Sequence, residues 1–436
     1  MYNRFFFLLM LFIIGQLVLV KAQNKIDSSF KPEKNGYQMV FSDEFNKGLV
    51  PNNNDWLHRI NQKMGGNSTQ ENVKVTTLPD GIGCLQINFT NDSTLSLEKQ
   101  YKGGGVVSTH NFGYGYYEIR VKLYGGNKEL SGLHQSFWSM GLTGTNEGEG
   151  KGVRDALVNK DLIPQENRVL EIDGFEHNSK DNTLAQNYHI YTPTHLSEAP
   201  KNKPIKQDLS KWIVMGYEWL PDRINFYCNG QLFSTKYLAD KWKVYAPQNF
   251  WLTALPVNLM AWGGLNIPPK DAAMNVDYFR FYAKKNAATN LVGNASFEYG
   301  AKGNTYPIAW IVTRTDGNNP DAVKVINDSI GAQEGKHYLE IKQDKNYKAT
   351  MKQILEFIPD GKYSFSARVK GNVGDKSGVL TIYSGKKSKT IPIKATDKWQ
   401  QIKLNDIQVA NNNATIQISV FGDAGKLLDI DDVVFQ

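Results

Sequence analysis

From Gly36 to Tyr282 the chain is built of short segments in which apolar and polar residues alternate, each closed by Gly, Asn, Asp or Pro. Examples are Cys84-Leu85-Gln86-Ile87-Asn88-Phe89, Tyr116-Tyr117-Glu118-Ile119-Arg120-Val121 and Arg223-Ile224-Asn225-Phe226-Tyr227. A period of two marks strands with one face buried, and it predicts an antiparallel, all-β fold. Asn229-Gly230, just after the last of these segments, predicts a two-residue hairpin, because a type I′ turn needs positive φ at both central positions. Strands at this spacing over about 250 residues predict a large β sandwich or jelly roll. The charged, small-residue stretch 283–289 then reads as a linker. Beyond it the alternation returns, as in Tyr363-Ser364-Phe365-Ser366-Ala367-Arg368-Val369 and Ala414-Thr415-Ile416-Gln417-Ile418-Ser419-Val420, and predicts a smaller β sandwich over 290–436. Residues 143–167 are rich in Gly and charge and show no period, which reads as a long functional or mobile loop.

Composition adds limits. With 41% hydrophobic and 21% charged residues in a chain of 436, a disordered, collagen-like or polytopic membrane protein is excluded. Arg4, the apolar run Phe5 to Val20 and the following Lys21-Ala22 read as a secretory signal over 1–22, which places the mature chain outside the cell or in a periplasm. A single membrane anchor is the alternative, but Gly15-Gln16 interrupt the run, which is shorter than the ~20 residues a span needs. Gln23 stands where a lipoprotein anchor would require Cys. No span is expected in the mature chain. Loss of Arg4 and Lys21 lowers the formal charge of +7 by two, and the lysines are scattered. Nucleic acid is therefore not an expected partner, whereas an anionic polysaccharide is compatible. Cys84 and Cys228 are the two cysteines, either paired or buried as thiols, and no disulfide framework holds the fold.

Chemistry concentrates in Val169-Leu170-Glu171-Ile172-Asp173-Gly174-Phe175-Glu176-His177. On a strand Glu171 and Asp173 share a face, and Glu176 would point away. A β-bulge after Asp173 returns Glu176 to their side, and Gly174 suits the positive φ that some bulges need. Two carboxyl groups roughly 5 to 5.5 Å apart are what retaining cleavage of a glycosidic bond requires, one as nucleophile and one as acid/base. Asp173, between them, can hydrogen-bond the nucleophile and help keep the acid protonated. A solvated acidic strand face and a calcium site remain alternative readings of the same three residues.

With these residues in place, the chain resembles family 16 of the glycoside hydrolases, whose signature is E-x-D-x-x-E on a bulged strand. Further family-like stretches are Phe41-Ser42-Asp43-Glu44-Phe45, Gly113 to Arg120, Ser136-Phe137-Trp138, Tyr217 to Tyr227 and Val276 to Tyr282, in family order. The resemblance implies a jelly roll with an open cleft that hydrolyses internal β-1,3 or β-1,4 linkages of glucans or galactans with retention. It makes Glu171 the nucleophile, Asp173 the assisting carboxylate and Glu176 the general acid/base. The longer, bulged spacing is similar to the laminarinase, agarase, porphyranase and carrageenase branches. Many members read W-P-A-F-W where this chain has His134-Gln135-Ser136-Phe137-Trp138, so an imidazole replaces the first sugar-stacking indole.

Trp138 is the expected sugar platform, with a core Trp as the alternative. His189, in Asn187-Tyr188-His189-Ile190-Tyr191, stands where the family often places a cleft histidine. Trp262 and Arg59 are further substrate-binding candidates, as is His134. The second sandwich resembles carbohydrate-binding modules of the family 4 and 9 type, from Asn290 to Glu298 at its start and Ile430-Asp431-Asp432-Val433 at its end. That resemblance implies a structural calcium site, for which Glu298 and Asp432 are the candidates, and no cofactor is expected in catalysis. The sequence thus reads as a secreted, retaining, endo-acting β-glycosidase, with a catalytically silent glycan-binding protein on the same fold as the alternative.

Overall fold

The structure is a computed structural model. It describes residues 29–48, 52, 54–59, 67–96, 100–125, 132–142, 168–180, 182–191, 196–197, 203–205, 207–239, 243–257, 272–285, 289–299, 307–314, 317–373 and 378–436. The signal segment 1–22, the loop 143–167 and Trp262 lie outside the described residues. Within them the fold is all-β, a large sandwich followed by a smaller one.

The first sandwich packs an eight-stranded sheet on a ten-stranded one. In the eight-stranded sheet the central strand Ala273–Lys284 lies between Gly115–Lys122 and Gly83–Asn88. In the ten-stranded sheet the order through the centre is Thr183–Ile190, Arg168–Asn178, Leu133–Leu142, Gln248–Pro256 and Tyr101–Ser108. Alternation decides what each strand buries. Phe137, Ile172, Phe175, Phe250 and Leu252 point between the sheets and join Tyr117, Tyr217 and Phe279 in one core. The opposite face of the ten-stranded sheet carries a second, smaller apolar cluster of Val107, Trp138, Met140 and Trp251 beside polar positions such as Ser136 and Thr253. The hairpin expected at Asn229-Gly230 is present, with φ of 48° and 72° joining Arg223–Cys228 to Gln231–Tyr237. Cys84 and Cys228 are free and buried, and burial pushes both thiols up from their ordinary range.

Two five-stranded sheets form the second sandwich around a core of its own that includes Trp310, Phe365, Ile418, Ile430 and Phe435. Ala283 and Lys284, which composition assigns to the linker, are the last residues of Ala273–Lys284 and pair with Gln38 and Tyr37.

The two sandwiches meet at a packed seam. The Phe357 ring stacks on Phe112 at 4.8 Å and stands edge-on to Phe41 at 5.0 Å. Beside it His110 is held between Glu356 Oε1 at 3.0 Å and Asp55 Oδ1 at 2.8 Å, while Glu356 Oε2 accepts the Asn111 N–H. Burial opposes a charge on His110, but the two carboxylates outweigh it and raise its pKa. A cavity of about 360 Å³ runs along the same seam, with Tyr114, Tyr245, Ile354 and Tyr363 in its walls.

Candidate active site

The three acids stand on one face of the strand Arg168–Asn178, as the register shows. Glu171 is opposite Met140, Asp173 opposite Trp138 and Glu176 opposite Ser136, so their cross-strand neighbours are alternate residues of one strand. The bulge makes this possible. Between Asp173 and Phe175 the register slips by one residue against Leu133–Leu142, and it also slips against Thr183–Ile190 between Asp173 and Glu176. The expected reason for Gly174 is corrected, since its φ is not in the left-handed region. A Cβ there would meet Phe137 Cδ1 at 2.8 Å and Tyr217 Cδ1 at 3.0 Å, so glycine is required by the rings packed beneath the bulge.

Neighbouring strands supply a partner for each acid. Tyr191 OH donates to Glu171 Oε2 at 2.9 Å. His189 Nε2 lies 3.4 Å from Asp173 Oδ2. Asn187 Nδ2 donates to Glu176 Oε2 at 2.7 Å, and His134 Nε2 lies 3.2 Å from Glu176 Oε1. Asn187 and Tyr191 were not singled out in the sequence, although they flank His189 at the alternate positions that share its face. The side chain of Asp173 is 3% exposed and that of Glu176 is 23% exposed, so Glu176 is the acid in closer reach of solvent.

Electrostatics separate the acids further. Burial, then the charges of Glu176 and Glu171, push the Asp173 carboxyl up to about 7, partly offset by His189. For His189 burial is the largest influence and lowers its pKa, but the hydrogen bond and charge of Asp173 with the charges of Glu171 and Glu176 raise it overall. The pair therefore holds protons towards neutral pH. Donor atoms of Glu171, Asp173 and His189 lie within 4.8 Å of one another, a compactness shared by hydrogen-bonded catalytic groups and by cation sites.

The other candidates fall in two groups. Trp138 lies on the acid-bearing face, 4.5 Å from Trp251 and nearly parallel to it, with the Arg59 guanidinium 5.4 Å above its ring. It is 5% exposed, so Arg59 and Trp251 enclose most of the surface expected to meet a sugar. Glu298 and Asp432, the calcium candidates, have different partners among the described residues. Glu298 accepts the N–H groups of Lys336 and His337 and meets His337 Nδ1 at 3.0 Å, whereas Asp432 faces Arg368 Nε at 4.0 Å.

A two-sheet sandwich with three carboxylates on a bulged strand, on the face turned away from the main core, defines the class of protein. Residues 83–280 match the sequence profile of Glycosyl hydrolases family 16, so the resemblance carried by the motifs holds over that segment. The keratan-sulfate endo-1,4-beta-galactosidase of Sphingobacterium multivorum is 22% identical over 296 residues, 66% of this chain and 64% of that protein. The chain thus spans less than two thirds of that relative's length. Among solved structures, the laminarinase catalytic domain of Thermotoga maritima MSB8 is 23% identical with a TM-score of 0.43, covering 57% of this chain and 99% of the other. The structure of TmCBM61 with beta-1,4-galactotriose is 25% identical with a TM-score of 0.30, covering 34% of this chain and 99% of that one.

Proposed function

We propose that the chain is a secreted endo-β-glycosidase that cleaves a β-galactan with retention. The observation that carries this reading is the bulge, which sets Glu171, Asp173 and Glu176 side by side on one face with a separate polar partner for each. Glu171 attacks the anomeric carbon while Glu176 gives its proton to the departing glycosidic oxygen, leaving a glycosyl ester on Glu171. Glu176, now a carboxylate, takes a proton from water, and that water displaces Glu171 with net retention. Asp173, whose carboxyl is pushed up to about 7, retains a proton on the acid side of neutrality and there supplies a hydrogen bond in place of a third negative charge. Its neutrality limits repulsion as Glu176 loses its proton.

The choice of galactan is supported by the name of the Sphingobacterium relative, a galactosidase, and by His134 in place of an indole beside the acid/base. Laminarin, mixed-linkage glucan, agar, porphyran, carrageenan and keratan sulfate form the test panel, scored by reducing ends released. A galactan should be the best substrate, and equal or better turnover of laminarin would restore a glucanase. Glu171→Gln and Glu176→Gln should each lower turnover by about 10³-fold or more without loss of fold, with Asp173→Asn costing less. Near-wild-type activity in either glutamate variant would end the assignment. NMR of the first-formed anomer reads retention, and N-terminal sequencing of exported protein should begin at Gln23. Binding to the panel with no cleavage would favour the silent glycan-binding alternative.

A further inference from the structure

We propose that the second sandwich carries a binding site for a sulfated saccharide, in an open cavity of about 530 Å³ at one end of the sheet that contains Tyr347–Glu356 and Asn413–Gly422. The site is separate from the acid-bearing face and does not rest on the catalytic reading. Its walls are the loop Gly317 to Pro320, the start of Tyr347–Glu356 with the residues just before it, and Phe421-Gly422 at the end of Asn413–Gly422.

Four features give this cavity the character of a built site. The outward positions of Asn413–Gly422 are Thr415, Gln417 and Ser419, and then Phe421, whose ring is 40% exposed in an otherwise polar row. An exposed phenyl ring adds nothing to the core, but it offers an apolar platform to the C–H face of a pyranose. Beside it Tyr347 is fixed as a floor. A Cβ on Gly422 would come within 2.4 Å of the Tyr347 ring oxygen, and that hydroxyl lies 2.9 Å from the Ile341 carbonyl and 3.1 Å from that of Lys426.

Two side-chain amides are pinned by their oxygens. Asn319 Oδ1 accepts the Asp321 N–H at 3.2 Å and Asn346 Oδ1 accepts the Ala424 N–H at 3.0 Å, which orients each NH₂ group as a donor. The Asn319 N–H itself bonds the Lys348 carbonyl at 2.7 Å and ties the loop to the sheet. Lys345 and Lys348 complete the lining, in which no Asp or Glu stands among the described residues.

Fixed amide donors and two ammonium groups select an anion, and the ring selects a sugar to carry it. No guanidinium stands among the described lining residues to grip a planar carboxylate in a two-point fork, whereas ammonium and amide donors arranged around a pocket suit the tetrahedral oxygens of a sulfate ester.

The test is affinity electrophoresis of the full chain carrying Glu171→Gln, so that the matrix is not degraded, in gels containing carrageenan, chemically desulfated carrageenan or polygalacturonate. Phe421→Ala, Lys345→Ala and Lys348→Glu are each compared with this parent. Carrageenan should retard the parent, and each substitution should weaken that binding by about tenfold, with the loss in the two lysine variants shrinking as salt is added. Mobility in the other two gels should not change. Unaltered binding in all three variants would overturn the proposal, and so would an equal loss on desulfated carrageenan or on polygalacturonate. Matching thermal melts confirm folding, and Phe421→Ala, at an exposed position, keeps the test available where a lysine variant fails to fold. In the chain with Glu171 intact, the same substitutions should leave cleavage of a short neutral oligosaccharide unchanged. A loss there would place the effect in the cleft and overturn the separate site. A chain that cleaves nothing would defeat the catalytic reading while leaving the gel comparison decisive.

Discussion

Asp173 is the most buried of the three acids and the one whose proton is held up to about pH 7. In the unfolded chain the same carboxyl releases its proton near its ordinary value of 3.8. The folded state therefore binds more protons between about pH 4 and 7, and its stability falls as pH rises through that window. Asp173→Asn cannot lose a proton, so the wild type should lose stability relative to the variant between pH 4.5 and 7.5. Thermal melts at both values read this, and a constant difference would show that the carboxyl ionises freely in the fold. Partners of the acids were legible to unequal degrees. Asn187, His189 and Tyr191 are alternate residues of one stretch, so period-two reasoning extended past His189 would have reached the other two. His134 beside Glu176 is a contact across strands 42 positions apart in sequence, set by the register of Asn178 against His134, which no local pattern encodes.

The bulged strand shows what alternation can and cannot tell. Acid spacing alone required an inserted residue between Asp173 and Glu176, and the register slips there. The role of Gly174 was not legible, because it depends on Phe137 and Tyr217 from two other strands, one of them in the opposite sheet. Gly174→Ala should therefore act by overpacking, costing about 1–3 kcal/mol in stability. Relief by movement of the bulge would also shift Glu176 away from Asn187 and His134, so kcat should fall while the melt still shows one folded species. An alanine variant with wild-type stability would mean that the two rings yield freely. The strand boundaries were legible where turn chemistry is strong, as at Asn229-Gly230, and less so at Ala283-Lys284, where pairing with Tyr37 and Gln38 overrides a linker-like composition.

At the scale of the molecule, two sandwich patterns in one sequence suggest separable pieces, but Glu356 and Phe357 join them. This part of the seam was invisible in the sequence because the contacts of Glu356 and Phe357 pair residues more than 240 positions apart, as in His110 with Glu356. Truncation after Lys285 would uncover Phe112 and leave His110 with Asp55 alone, so the isolated first sandwich should fold but be less stable than the full chain. Phe357→Ala, which empties a partly buried ring site, should cost about 2–3 kcal/mol. Both cysteines lie in the first sandwich, and neither is reachable in the folded state. They form a built-in clock: a thiol reagent in excess reacts only when that sandwich opens and stays silent when the second opens alone. Faster labelling in Phe357→Ala would show that the first sandwich draws stability across the seam, and unchanged labelling alongside a lower melt would confine the loss to the second.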